Sequence, residues 1–104
     1  MYVIIYITAP DITCARSIAF ECIAHKLIAC ANILPQIESI YCWDGKIINE
    51  NEIAIFLKTT EEKASKVVDL VKQIHPYKCP CIVSIPITAG NPEFLRWISD
   101  GTTY

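Results

Sequence analysis

The stretch SIYCWDGKIINENEIAIFLKTT, residues 39–60, decides the fold. At its centre stands Trp43-Asp44-Gly45-Lys46. An Asp-Gly pair is a strong signal for a two-residue hairpin, because both turn positions need positive φ and these two residues tolerate it. On one side Asn32 to Cys42 reads as a strand interrupted near Pro35; on the other, Lys46 to Thr59 reads as its partner. A long hairpin therefore occupies the middle of the chain.

Working outward, Val3 to Thr8 is β-branched and aromatic, a short run that fits a fully buried strand. Thr8-Ala9-Pro10-Asp11 stops it, and the Asp11 carboxylate is placed to cap a helix. Ala15, Ile18, Ala19, Cys22, Ile23 and Leu27 follow at spacings of three and four, one stripe of a helix. After the hairpin, Glu61 to His75 carries Ala64, Val67, Val68, Val71 and Ile74 on one face, with Thr59 or Thr60 as cap. Pro76 ends that helix. Cys81 to Thr88 is a last apolar strand, and Pro86 within it points to a sheet edge. Gly90-Asn91-Pro92 turns into a short helix, Glu93 to Ile98, and the final residues read as loose. The order is that of an α+β fold, the ferredoxin-like βαββαβ pattern with an antiparallel sheet and an extra C-terminal helix. The strands lack clean polar alternation, which implies that both sheet faces are covered and favours an oligomer.

At 104 residues the chain reads as a single domain, 1–104, and its 53% apolar content is high for that size. Nine basic against eleven acidic residues, without a Lys/Arg-rich run, argue against nucleic acid as a partner. The longest unbroken apolar run, Met1 to Ile7, is too short to span a membrane. MYVIIYITAP lacks a basic leader region, so the expected compartment is the cytoplasm. There the six cysteines, at 14, 22, 30, 42, 79 and 81, are expected to be free thiols. In a secreted chain the same even count would suggest disulfides. Cys14, Cys22 and Cys30 recur every eight residues, about 800° of helix, so they drift around the axis and make no ligand cluster.

Two groups of residues carry candidate chemistry. His75, Cys79 and Cys81 offer imidazole and thiolate, the ligands a soft or borderline ion prefers. The competing reading is a histidine closing a helix C-terminus, where an imidazolium meets the helix dipole, with both thiols packed. Tyr41, Trp43, Lys58, Tyr77 and Trp97 form the second group, an aromatic cleft in which Lys58 and Lys46 attract an anion. Its competitor makes the tryptophans interface packing and Lys58 an ion-pair partner of Glu50 or Glu52. Glu50 and Glu52 share a strand face, as general acid/base carboxylates do, but nothing near them in sequence supplies a nucleophile or an oriented histidine. With glycines only at 45, 90 and 101, no phosphate-binding glycine loop is present.

Thr8-Ala-Pro-Asp11, Lys26-Leu-Ile-Ala-Cys-Ala-Asn-Ile33, Ser39 to Lys46, Leu57-Lys-Thr-Thr60, His75-Pro-Tyr77, and Gly90-Asn91 followed by Phe94-Leu95 and Trp97 occur in that order. Together, over roughly residues 3 to 98, they resemble the divalent-cation tolerance family called CutA. The resemblance implies a homotrimer whose long hairpins pair edges between subunits, and a role in tolerance to copper or another divalent metal. It implies no settled reaction, no cofactor needed for folding, and names no protein partner beyond the chain itself. A trimeric small-molecule sensor with clefts between subunits is the alternative function. Lys78 and Cys81 stand where the family pattern has two acidic residues, and Ile7 stands where some members carry a cysteine.

Overall fold

Asp44 and Gly45 take φ of 51° and 75°, so the turn that organises the molecule has the geometry its residues predict. The structure, a computed structural model, describes residues 1–103. In order it contains β1 (Tyr2–Ala9), α1 (Ile12–Ala24), β2 (Cys30–Trp43) and β3 (Lys46–Thr60). A 3-10 turn (Glu61–Lys63) leads into α2 (Ala64–Ile74), followed by β4 (Ile82–Ile87) and α3 (Pro92–Gly101). The strands form one antiparallel sheet in the order β2-β3-β1-β4, as the ferredoxin-like pattern requires.

Alternation along the central strands defines two faces. Val3, Ile5 and Ile7 of β1 and Ile53, Ile55 and Leu57 of β3 point to one side and are buried there. Ala15, Ile18 and Cys22 of α1 and Val67 and Val71 of α2 cover them. Burying a large aliphatic side chain of this kind contributes about 1.5–3 kcal/mol. Asp11 accepts from the Cys14 amide at 2.8 Å and caps α1 as expected, a contact worth about 1 kcal/mol. The opposite face is open: Val83 and Ile85 of β4 are 47% and 45% exposed, beside half-buried Ile4, Tyr6 and Phe56. At one end α3 crosses that face, with Ser99 Oγ 2.7 Å from the Tyr2 hydroxyl and the Phe94 ring beneath Lys58.

β2 steps out of register between Leu34, opposite Ala54, and Ile37, opposite Glu52. Pro35 and Gln36 thus face a single residue, a bulge that proline suits because it has no amide to offer the ladder. Beyond it the hairpin projects, and the molecule measures 44 × 26 × 22 Å. Pro86 lies opposite Val3 in the edge strand β4, where its missing donor costs nothing.

Three local expectations change. Neither threonine caps the second helix: Thr59 Oγ1 donates to the Leu27 carbonyl, and Thr60 makes no side-chain cap. Cys30 opens β2 instead of extending the α1 series, because α1 ends at Ala24 and the chain reverses through Lys26 at φ 56°. Of the final residues, those up to Thr102 are not loose, since α3 runs to Gly101 and Thr102 is 2% exposed with its hydroxyl on the Ile98 carbonyl; Tyr104 lies outside the described residues.

Candidate functional site

β3 presents Ile48, Glu50 and Glu52 on the open face, since they alternate by two. Across the ladder β2 sets Ser39 opposite Glu50 and Tyr41 opposite Ile48, so the Tyr41 phenol reaches Glu50 diagonally. That hydroxyl donates to Glu50 Oε1 at 2.5 Å. From the other side comes the segment after Pro76, whose Tyr77 hydroxyl donates to Glu52 Oε2 at 3.3 Å. These side chains bound an open cavity of about 490 Å³. Trp43, Tyr41 and Tyr77 form its aromatic walls, Glu50 and Glu52 its acidic side, and Cys79, Cys81 and Lys78 complete it next to Thr8.

Electrostatics here follow from the carboxylates. The hydrogen bond to Glu50 pushes the Tyr41 phenol up to about 12. Burial, then the charge of Glu52, pushes Tyr77 up to about 12 as well. The Cys81 thiol is raised by burial and then by Glu52, against a hydrogen bond with Thr8 that lowers it. Each phenol thus holds its proton more tightly folded than unfolded. The associated stability is complete below the ordinary phenol value of 10.0 and is lost as pH rises towards 12. In a phenolate absorbance titration two tyrosines are expected to lag near 12, and Glu50→Gln should bring one of them back towards 10.0. A titration with no late phenols, or one unchanged by the substitution, would contradict the Tyr41–Glu50 bond.

His75 does not join the thiols. It is 7% exposed, with Nε2 2.8 Å from the Thr8 carbonyl oxygen and Nδ1 3.1 Å from the Tyr77 amide nitrogen. The carbonyl demands a donor and the amide an acceptor, so Nε2 carries the proton and the Nδ1 lone pair is taken. Both ring nitrogens of the expected ligand His75 thus have protein partners, and the ring braces β1 against the end of α2. Among the described residues no three His, Cys, Asp or Glu side chains form a group that could hold an ion. The helix-closing reading also changes in detail, because these two partners select a neutral ring instead of an imidazolium.

The expected cleft divides. Tyr41, Trp43 and Tyr77 meet in the cavity, whereas Lys58 lies six residues along β3 from Glu52, roughly 20 Å away. Its ammonium sits 5.4 Å from the centre of the Phe94 ring, and that ring stacks at 5.5 Å on Trp97. Lys58 and Trp97 therefore belong to the α3 contact, and Lys58 is not the ion-pair partner of Glu50 or Glu52. Thr8 and Ile48 were absent from the sequence-level site. Thr8 had a signal available, since the β1–β4 register that sets Ile7 opposite Ile82 brings Thr8 next to Cys81. Ile7, at the position of interest for a soft ligand, is fully buried in the core.

The CutA1 divalent ion tolerance protein family matches residues 3–101. The chain belongs to this family. A divalent-cation tolerance protein CutA from Archaeoglobus fulgidus is 47% identical over 100 residues, covering 96% of this chain and 97% of that one. The Thermus thermophilus CutA is 39% identical over 99 residues, with 95% and 96% covered. The Xenopus laevis CutA homolog is 41% identical over 95 residues, but the chain spans only 63% of its length. Among solved structures, that of the periplasmic divalent cation tolerance protein CutA from Archaeoglobus fulgidus superposes with a TM-score of 0.96 at 45% identity. It covers 99% of this chain and 100% of the other. Thermus thermophilus CutA1 gives 0.95 at 39%, with 99% and 100% covered. The ferredoxin-like α+β architecture is thus shared with CutA along its whole length. Among the described residues no helix is long and apolar enough to cross a membrane.

Proposed function

We propose that the chain acts in metal tolerance as a homotrimer that binds copper or a related ion without turning over a substrate. The observation that carries this is the cavity, whose lining includes Cys79, Cys81 and Glu52. Paired thiolates select soft ions, Cu(I) foremost, and a neighbouring subunit or water completes the ligand set. With His75 occupied, the site consists of Cys79 and Cys81 as ligands and Glu52 as the adjacent charge. Six unpaired thiols suit a reducing, cytoplasmic setting. Trimer formation is supported by the open face around Val83 and Ile85 and by Ile40, Trp43 and Ile47 on the projecting hairpin, 66%, 58% and 84% exposed.

The test is an anaerobic competition for Cu(I) against a chromogenic chelator, on protein whose sedimentation mass is measured beside it. Wild type is expected to sediment at three chain masses and to withhold up to one ion per chain, more effectively as pH rises, because thiols must lose protons to bind. Cys79→Ser with Cys81→Ser should lose to the chelator, and His75→Ala should match wild type. A wild type that loses to the chelator, or a double variant that equals it, would remove the copper role.

Three aromatic walls favour a second reading, the small-molecule sensor. With Lys58 elsewhere and Glu50 and Glu52 outnumbering Lys78 in the wall, the charge of such a cleft suits a cationic ligand and not the organic anion anticipated from Lys58 and Lys46.

A further inference from the structure

Glu52 is the one buried carboxylate among the described residues, 6% exposed, and it takes part in no ion pair. Its Oε2 accepts a long hydrogen bond from the Tyr77 hydroxyl, 3.3 Å, and its Oε1 has no partner in the protein. Nor is Oε1 sealed off. Among the described residues the one side-chain atom that is both buried and unpartnered is Thr60 Oγ1, at the far end of β3. Glu52 Oε1 therefore stays open to the cavity that its residue lines. A carboxylate withdrawn from water without a counter-charge is costly, and a fold that keeps one implies a cation as its partner.

Glu50 repeats the arrangement two residues along the same strand face. Its Oε1 accepts from the Tyr41 hydroxyl and its Oε2 has no partner. The two residues lie roughly 7 Å apart along the strand, a gap that one nitrogen with several N–H donors can bridge.

What stands around the carboxylates decides the kind of cation. A hard dication asks for about six or more oxygen ligands, and two unpartnered oxygens among aromatic rings do not supply them. Tyr41, Trp43 and Tyr77 instead offer ring faces that attract an organic cation and cover the body attached to it. The volume, about 490 Å³, is that of a small-molecule site. Lys78 in the same lining offsets one of the two formal negative charges, which leaves one to be matched by a monocation.

We propose that the cleft binds a primary amine in its ammonium form, whose N–H groups donate to Glu52 Oε1 and Glu50 Oε2 while its organic body lies against the aromatic rings. This rests on the small-molecule reading of the cavity and names its ligand class.

The experiment is a titration of the reduced, metal-free, nitrogen-labelled full chain with 2-phenylethylamine at pH 7 and constant ionic strength, followed through the indole N–H resonances. Trp43 reports the cleft, and Trp97, in the α3 contact, is the internal control. A saturable shift of Trp43 with Trp97 unmoved is expected. The neutral isostere 2-phenylethanol and the anion phenylacetate should not produce it. The N,N,N-trimethyl derivative, which has no N–H to donate, should need about tenfold more, and Glu52→Gln should raise the half-saturating amine concentration by about tenfold or more. Equal binding of the alcohol overturns the ammonium proposal and leaves the small-molecule reading standing, as does a trimethyl derivative that binds as well as the primary amine. No saturable shift with any of the four compounds removes both. Should Glu52→Gln not fold, Glu50→Gln takes its place, and amine binding unchanged in the folded variant overturns the proposal. Cys79→Ser with Cys81→Ser should retain the amine while losing Cu(I), so this inference and the copper role fail separately. Loss of the amine in that double variant would move it to the thiols and overturn the carboxylate site.

Discussion

Ile7→Ala is expected to lower the unfolding free energy by about 2–5 kcal/mol, read as a fall in the guanidinium midpoint at fixed chain concentration. Ile7 is fully buried and lies in β1 between Ile55 of β3 and Ile82 of β4. Its side chain faces α1 and α2, so deletion of three carbons leaves a void that the flanking isoleucines close only in part. Ile7→Val, which removes one methyl group, should cost about 0.5–1.5 kcal/mol. Fixed concentration matters because dissociation of an oligomer shifts the midpoint by mass action. A loss for Ile7→Ala below that of Ile7→Val would mean that the core collapses around the gap, and that β1 is not the close-packed centre described above.

His75→Ala is expected to cost roughly 2–4 kcal/mol and to leave Cu(I) affinity unchanged. The imidazole makes two hydrogen bonds that nothing else near it replaces, to the Thr8 carbonyl and from the Tyr77 amide. Removing the ring strands both backbone groups and opens a hole between β1 and the end of α2. Tyr77 should loosen as well, since its ring also packs at 4.9 Å on His75. Its hydrogen bond to Glu52 would weaken with it, and the late phenol in the absorbance titration should move down. Stability at the wild-type level would reject the brace. Weakened Cu(I) binding in a folded variant would return His75 to the ligand set.

The contrast between these two residues shows where sequence suffices. Ile7 belongs to a β-branched run whose burial follows from composition and period, and the same holds for the Asp44-Gly45 turn, the Asp11 cap and the edge proline at 86. All four rest on local chemistry and stand in the structure. His75 owes its role to Thr8, 67 residues away. No spacing rule links them, so a histidine near two cysteines looks like a ligand until the partners of both nitrogens are known. Lys58 misleads for a different reason. It shares a strand face with Glu50 and Glu52, but a strand rises about 3.3 Å per residue, so a shared face is not a shared site. Tyr41, Trp43 and Tyr77 were legible as a group, because the hairpin fixes the first two and Pro76 turns the third towards them. The unpaired Thr60 hydroxyl has no sequence signature, since threonine before a helix is the usual cap and only tertiary packing withholds it from that role.

The bulge at Pro35-Gln36 divides the longest ladder in the molecule into two parts that open at different rates. Before it, β2 and β3 are tied to the core through Ile55 and Leu57, and their amides exchange with deuterium only when the sheet itself opens. Past it, Ile37–Trp43 and Lys46–Glu52 form a two-stranded ribbon, a structure that is marginal alone in water. Protection there is set by whatever lies against the ribbon. In the proposed trimer, exchange beyond the bulge therefore times the parting of subunits, and exchange before it times the unfolding of one chain.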